Sequence, residues 1–315
     1  MMSDLVDDFD AILITGPTAS GKSALAATLA RQHGGVVINA DSMQVYDTLR
    51  VLTARPSDAE MEDVPHLLYG HVPALAAYST GEWLRDVTAL LTKLREQGQM
   101  PILVGGTGLY FRALSGGLSD MPVIPDALRE NLRQRLLQDG PARLHGELAR
   151  CDPETAARLQ MNDGQRIVRA LETHMHTGRS ISSYQQASGP VVIDPARAKK
   201  IVVLPERTVL YDRINRRFEI MLASGAIEEV RTLMALQPSP DSPVMKAIGV
   251  KEIAEMLAGR MDRQAVIERG SALTRQYAKR QMTWFRNQMD ETWERWPGPE
   301  AALRGETGRA SQSLS

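Results

Sequence analysis

Short apolar runs alternate with longer amphipathic stretches over the first 120 residues. Ala11-Ile12-Leu13-Ile14 is an unbroken apolar run that reads as a buried strand, and the alanine- and leucine-rich stretch 22–31 reads as a helix. A second run, Gly35-Val36-Val37-Ile38-Asn39, ends at Ala40-Asp41-Ser42. Stretch 79–97 has helical periodicity. It opens on Ser79-Thr80-Gly81-Glu82, a capping serine with an acid three positions on, and Gly98 closes it. Met100-Pro101-Ile102-Leu103-Val104 is a third strand, running into Gly105-Gly106-Thr107-Gly108. Such alternation predicts an α/β fold: a parallel sheet with right-handed crossovers and a ligand crevice at the carboxyl ends of the strands.

The middle of the chain changes character. Over 121–195 the pattern is helical and arginine-rich, broken at Pro125-Asp126, Asp139-Gly140-Pro141 and Asp152-Pro153. The run Ala198-Lys199-Lys200-Ile201-Val202-Val203-Leu204 then returns the chain to the sheet, and helical periodicity dominates 208–293. The organisation expected is a first part of the core over 1–120 and a helical insertion over 121–195. Core completion and basic C-terminal helices follow over 196–296. The Gly- and Ser-rich tail 297–315 has no periodicity and is expected to be disordered.

Composition adds boundaries. The 315 residues carry a formal net charge of −1, so a nucleic-acid partner must be met by a local basic face. The single cysteine, Cys151, excludes an intrachain disulfide framework and suits a reducing compartment. Residues 1–10 are acidic without an apolar core, and no apolar run approaches the roughly 20 residues of a membrane span. A cytoplasmic location with no membrane association is expected. The six histidines (33, 66, 71, 145, 174, 176) have no zinc-ligand spacing.

Candidate chemistry begins at the first strand's end. Gly16-Pro17-Thr18-Ala19-Ser20-Gly21-Lys22-Ser23 fits the phosphate-loop pattern G-x-x-x-x-G-K-[ST], with strand before and helix after as the motif requires. Glycines let the backbone wrap an oxyanion, and the helix N-terminus adds favourable partial charge. Lys22 supplies a point charge to the terminal phosphate and the Ser23 hydroxyl a ligand for Mg²⁺. The loop specifies a diphosphate or longer group, without naming its carrier. Asp41, 19 residues after Lys22, ends the second strand and should face the loop. It could hold Mg²⁺ through water, accept a proton from a nucleophile, or simply cap a turn with Ser42.

The third strand ends in Gly105-Gly106-Thr107-Gly108, where a hydrolytic ATPase would carry its Walker-B acid. No acid is there, which disfavours ATP hydrolysis. The glycines and hydroxyl suit either close approach to a polar group or a plain tight turn. From 263 to 286 six basic residues (263, 269, 275, 279, 280, 286) face one acid, Glu268, with Tyr277, Trp284 and Phe285 interleaved. Arg275 with Lys279, and Gln276 with Arg280, form adjacent ridges of a helix. This face suits a phosphate backbone or is a solvated helix with its aromatics inward. A second basic set, Arg129, Arg133, Arg135, Arg143, Arg150, Arg158, Arg166 and Arg169, lies in the insertion.

Taken together the motifs resemble those of the bacterial tRNA dimethylallyltransferases, also called tRNA isopentenyltransferases. The matching blocks are 16–23, Asn39-Ala40-Asp41-Ser42-Met43-Gln44-Val45-Tyr46, Val64-Pro65-His66 and 104–110. Asn162-Asp163-Gly164-Gln165-Arg166, Arg169-Ala170-Leu171-Glu172, Met221-Leu222-Ala223-Ser224-Gly225 and 274–285 follow in family order. The resemblance implies a P-loop fold used for prenyl transfer from dimethylallyl diphosphate. The acceptor would be N6 of the adenosine just 3′ of the anticodon, in tRNAs reading codons that begin with U. It implies diphosphate binding by 16–23 and Arg217, Mg²⁺ at Ser23, Asp41 as general base, and Thr107 assisting departure of the oxygen on C1. Ser42, Met43 and Gln44 would contact the target base. Arg129, Gln165, Arg166, Ile167, Val168 and Arg169 would contact tRNA, as would Met245, Lys246, Ala247, Ile248, Gly249 and Val250. Arg275, Gln276, Lys279 and Arg280 complete the expected surface for the anticodon stem-loop. A monomer suffices.

Three positions depart from the family pattern: Val250 where tyrosine is usual, Asp47 where a base is usual, and Leu52 in place of a glycine. The alternative reading is a small-molecule or nucleotide kinase, which would also carry a phosphate loop and a strand-end acid but has no use for the basic C-terminal helix. A non-catalytic RNA-binding protein with a structural loop is a further alternative.

Overall fold

Period-two alternation of side chains sorts the apolar strand residues onto two faces, and both are covered. The computed structural model describes residues 9–61, 63–119, 121–185, 189 and 191–304. In chain order the elements are β1 (Ala11–Thr15), α1 (Lys22–His33), β2 (Val36–Asn39), α2 (Asp58–Met61), β3 (His66–Leu67), α3 (Thr80–Glu96), β4 (Pro101–Gly105) and α4 (Gly108–Gly116). Next come α5 (Asp126–Cys151), α6 (Pro153–Arg158), α7 (Gly164–Thr177), α8 (Ile181–Gln185), β5 (Ala198–Val203), α9 (Arg207–Ala223) and α10 (Ala226–Ala235). The chain continues through α11 (Val250–Leu257), α12 (Arg263–Gln288), β6 (Glu294–Trp296) and α13 (Pro299–Arg304). The described residues of 1–115 and 192–315 form one compact unit and those of 116–191 another.

The six strands lie in the order β3-β2-β4-β1-β5-β6, every pair parallel. Ile12 pairs with Ile102 and Thr15 with Gly105, so β1 and β4 finish level. Leu13, Val36, Ile38, Leu103 and Val202 face one core with Trp83, Leu91, Phe111 and Phe285. Ile12, Ile14, Val37, Ile102, Val104, Ile201 and Val203 face the other, against Leu25, Ala26 and Leu29 of α1. Such a doubly covered sheet places its ligand crevice at the carboxyl ends of β1, β2 and β4. The capping box of α3 forms as its sequence requires: Glu82 N–H donates to Ser79 Oγ at 3.2 Å, and Ser79 N–H to Glu82 Oε2 at 2.6 Å.

A further core joins the segment after β2 to the C-terminal helices: Val45, Tyr46, Leu49 and Leu52 pack with Phe218, Leu222, Val230, Leu233, Val250 and Ile253. The 116–191 unit has its own core of Leu132, Leu144, Leu148, Ile167, Leu171 and Ile181. Its α5 is two helices in line, joined at Gly140 (φ 77°) before Pro141. Asp152 and Asp163 cap α6 and α7, accepting from Thr155 N–H at 3.2 Å and Arg166 N–H at 3.4 Å.

The stretch expected to be disordered from 297 onward starts too early. Pro299–Arg304 is a helix whose Ala301 and Ala302 pack on the α1 side of the sheet. Two alanines give too weak a pattern to read, but they match the small side chains of α1. The rest of that stretch, 305–315, lies outside the described residues.

Candidate active site

The loop after β1 is forced into shape by crowding and backbone conformation. A Cβ on Gly16 would lie 2.5 Å from the Val203 carbonyl oxygen and 2.9 Å from Ser20 Oγ, so only glycine fits. Gly21 caps α1 at φ 91° with no side-chain cap bond, which leaves the first N–H groups of α1 for a ligand. Lys22 Nζ donates to the Pro17 carbonyl at 3.3 Å, folding the ammonium back over the loop. Burial pulls the Lys22 pKa down to about 8, with Asp41 opposing and Arg217 adding to the depression. Arg217, from α9, donates through Nη2 to Thr18 Oγ1, and its own pKa is lowered chiefly by burial. Two partly desolvated cations at one loop end form a site for an anion, whose binding would restore what burial took away.

Asp41 is aimed by its neighbours. Asn39, fully buried, accepts from Asp41 N–H at 2.9 Å and donates to the carbonyls of Asp41 and Leu68, each at 3.0 Å. Trp83 Nε1 donates to the Asn39 carbonyl at 3.0 Å, and its ring stacks on Tyr110 at 4.0 Å. Asp41 Oδ1 then accepts from Met43 N–H at 2.9 Å. Thr107 Oγ1 accepts from Ser42 N–H at 3.0 Å and donates to Ser42 Oγ at 3.2 Å, which locks the β4 loop to the β2 loop.

Lys22, Arg217, Asp41 and Ser42 meet in one cavity of about 320 Å³, which Thr107 borders only through its bond to Ser42. Its polar end holds Thr18, Lys22, Ser23, Asp41 and Arg217. Leu52, Ile214, Phe218, Met221 and Ile248 give it an apolar wall, and Tyr277 and Arg280 enter from α12. Burial, then Asp41, raise the Tyr277 phenol, so it stays protonated as a donor. Lys22, Ser23 and Arg217 also line a larger cleft of about 910 Å³ with Arg55 and Arg213. The apolar wall was not legible from the sequence, because its residues are indistinguishable from ordinary core positions.

Of the other expected residues, Ser42, Met43, Gln44, Lys246 and Ala247 line the cavity. Gln44 is partly committed, since its Nε2 donates to the carbonyls of Thr53 and Ala54 at 2.9 and 3.0 Å. Gly16, Pro17, Ala19, Ser20 and Gly21 shape the loop; Ala19 adopts φ 65° and Ser20 Oγ is buried without a partner among the described residues. Gln276, Lys279 and Arg280 form an open face on α12, bordering a groove of about 520 Å³ with Trp284 and Asn287. Arg275 turns away from that face: its Nη1 donates to Asn215 Oδ1 of α9 at 2.5 Å. Arg275 and Lys279, neighbours on one ridge of α12, therefore have different surroundings.

Several expected tRNA contacts have largely buried side chains. Ile167 and Val168 belong to the core of the 116–191 unit, leaving Gln165, Arg166 and Arg169 as the outward residues of that stretch. Met245 and Val250 lie in the core that holds Leu52, and Gly249 abuts it, with a Cβ there falling 2.8 Å from Leu52 Cδ1. Val250 thus fills a core position and makes no polar contact. The arginines of the insertion are also less free than their count implies. Arg129 pairs with Asp126 at 3.2 Å, Arg166 with Asp163 at 3.4 Å, and Arg169 with Glu172 at 2.6 Å. One buried polar residue near the site that carries no role in the sequence reading is Gln281. Its signal was present: a polar residue on the buried stripe with Ala278 and Phe285.

A phosphate loop, a strand-end carboxylate and an apolar-walled cavity on a doubly covered parallel sheet define a P-loop-type transferase more readily than a hydrolase. The family is settled by comparison with known proteins. Residues 44–288 match the family model described as IPP transferase, and residues 9–69 one described as isopentenyl transferase. The chain belongs to the IPP transferase family. It is 68% identical over 295 residues to the tRNA dimethylallyltransferase of Agrobacterium fabrum (94% of this chain, 99% of the relative). It is 66% identical over 301 residues to that of Rhizobium meliloti (96% and 99%). Among solved structures, the tRNA isopentenylpyrophosphate transferase of Bacillus halodurans is 35% identical with a TM-score of 0.64, covering 91% of this chain and 89% of its own. A eukaryotic dimethylallyltransferase acting on tRNA is 28% identical with a TM-score of 0.73, covering 88% and 70%.

Proposed function

We propose that this chain transfers the dimethylallyl group of dimethylallyl diphosphate to N6 of the adenosine 3′-adjacent to the anticodon of tRNAs reading codons that begin with U. The products are N6-(dimethylallyl)adenosine and diphosphate. The observation that carries this reading is a single cavity with an anion-holding end, an apolar wall and a carboxylate. The diphosphate takes the loop 16–23 with Lys22 and Arg217, and the prenyl tail takes the wall of Ile214, Phe218 and Met221. A kinase would need no such wall beside the phosphate loop.

In the reaction, adenine N6 attacks C1 of the prenyl group while the C1–O bond breaks, the electron pair leaving with the diphosphate. The Asp41 carboxylate takes the N6 proton. Thr107, whose hydroxyl donates to Ser42 Oγ, would turn that single proton to the departing oxygen. Lys22, Arg217 and the N–H groups of the first turn of α1 stabilise the charge that builds on the diphosphate. The Ser23 hydroxyl is a hard oxygen donor at the diphosphate end of the cavity, and with the diphosphate oxygens it suits Mg²⁺. When bound, that ion would neutralise diphosphate charge.

The adenosine must leave its stack to reach a partly enclosed carbon, as in other base-directed enzymes. The open face of Gln276, Lys279 and Arg280 suits the phosphates of the anticodon stem-loop. In this reading the enzyme acts as a monomer where tRNA is found, in the cytoplasm. The test is incubation with Mg²⁺, dimethylallyl diphosphate and unmodified tRNA, with mass spectrometry of the digested nucleosides. Prenylated adenosine is expected; ATP turnover on a small acceptor, with no such nucleoside, would return the kinase reading.

A further inference from the structure

The ladder between β1 and β4 ends at the pair Thr15 and Gly105, and beyond it the two catalytic loops diverge. Past that point their spacing is held by a side chain. Gln281, on α12 and only 6% exposed, accepts from Thr18 N–H through Oε1 at 2.9 Å. The same amide donates through Nε2 to the Gly106 carbonyl at 2.9 Å. Its amide stands in for one rung of the missing ladder.

Each end of this rung leads to a group assigned a chemical role above. On one side, Thr18 Oγ1 accepts from Arg217, so fixing Thr18 also fixes the cation at the anion end. On the other, the Gly106 peptide precedes Thr107, whose N–H donates to the Ala40 carbonyl at 3.3 Å and whose hydroxyl holds Ser42. The room for the rung is limited: a Cβ on Gly106 would lie 2.3 Å from Gln281 Nε2. Only a primary amide of this length offers an acceptor and a donor at its two ends. Glutamate keeps the acceptor and loses the donor, and methionine loses both.

We propose that Gln281 is a positioning residue for the transfer reaction, setting the distance between the diphosphate loop with Arg217 and the Thr107–Ser42–Asp41 group. The proposal rests on the prenyl-transfer reading. Binding geometry held to within a fraction of an ångström is worth orders of magnitude in rate, and a loosened rung spends it without touching the substrate-facing atoms. Gln281 also follows directly on Arg280, which opens onto the face shared with Gln276 and Lys279. The helix proposed to dock tRNA is therefore the one that sets the spacing of the catalytic loops.

The test is a kinetic cycle with Gln281→Met, Thr107→Val and the double variant, on full-length protein. Gln281→Met should lower kcat about tenfold or more with tRNA affinity nearly unchanged. The urea midpoint should fall too, because Thr18 N–H and the Gly106 carbonyl lose their partner. In the cycle the two losses in kcat should be sub-additive, because both act through the Thr107 hydroxyl. A purely structural glutamine would give losses that multiply. If Gln281→Met does not fold, Gln281→Glu enters the same cycle; it keeps the acceptor toward Thr18 but loses the donor toward Gly106, so its kcat should fall more than threefold and sub-additively with Thr107→Val. Retention of kcat within threefold, or multiplying losses, overturns the proposal. An inactive wild type in the same assay would instead overturn the transfer reading.

Discussion

Asp41 owes its aim to Asn39, whose buried amide holds the Asp41 backbone at both its N–H and its carbonyl. Replacing Asp41 by Asn keeps that shape and removes the base. Transfer should fall on the order of 10²–10⁴-fold while tRNA affinity is retained, measured by single-turnover kinetics and filter binding. Lys22 makes a second residue-scale prediction. Its pKa is depressed to about 8 by burial, so its charge is present below that value and lost above it. kcat/KM for dimethylallyl diphosphate should therefore decline as pH rises through about 8, and Lys22→Met should flatten that limb. A wild-type profile with no decline there would remove Lys22 from diphosphate binding. Lys22, Ser23 and Asp41 were legible in the sequence because the loop motif and strand-end position are local. Gln281 had no readable role because its two partners lie 263 and 175 positions away.

At the scale of elements, α12 carries an open basic face and one arginine tied to α9. Lys279 and Arg280 are open, so replacing both with Ala should reduce the salt slope of tRNA binding by about two. Arg275 is tied to Asn215, so Arg275→Ala should leave the slope nearly unchanged and cost about 1 kcal/mol of stability instead. The loop before α2 is likewise held from a distance. The Glu229 carboxylate of α10 accepts from the N–H groups of Arg50, Val51 and Leu52 at 3.0, 2.6 and 3.0 Å. Glu229→Ala leaves these donors unpaired and should lower the unfolding free energy by about 3 kcal/mol in urea titration. A loss below about 1 kcal/mol would mean that water replaces the carboxylate. Elements with strong periodicity or caps, such as α3, were readable from the chain alone. Strands β3 and β6, of two and three residues, were not, since they exist only through pairing with β2 and β5.

For the whole molecule, the alternation of apolar runs and helices was enough to predict a parallel sheet with its crevice at the strand ends. It could not predict that helices more than 100 residues downstream complete the cavity, because Ile214, Phe218 and Met221 read as ordinary core residues. Buried positions also corrected the expected tRNA surface: Ile167 and Val168 serve a core, and the neighbouring Gln165, Arg166 and Arg169 face outward. The central claim is that one cavity joins a diphosphate site to a carboxylate that deprotonates adenine N6. The most direct test compares wild type and Asp41→Asn with dimethylallyl diphosphate, Mg²⁺ and unmodified tRNA, by mass spectrometry of the digested nucleosides. N6-(dimethylallyl)adenosine is expected from the wild type and almost none from the variant, with both proteins binding the tRNA equally. Equal product from both would contradict that claim.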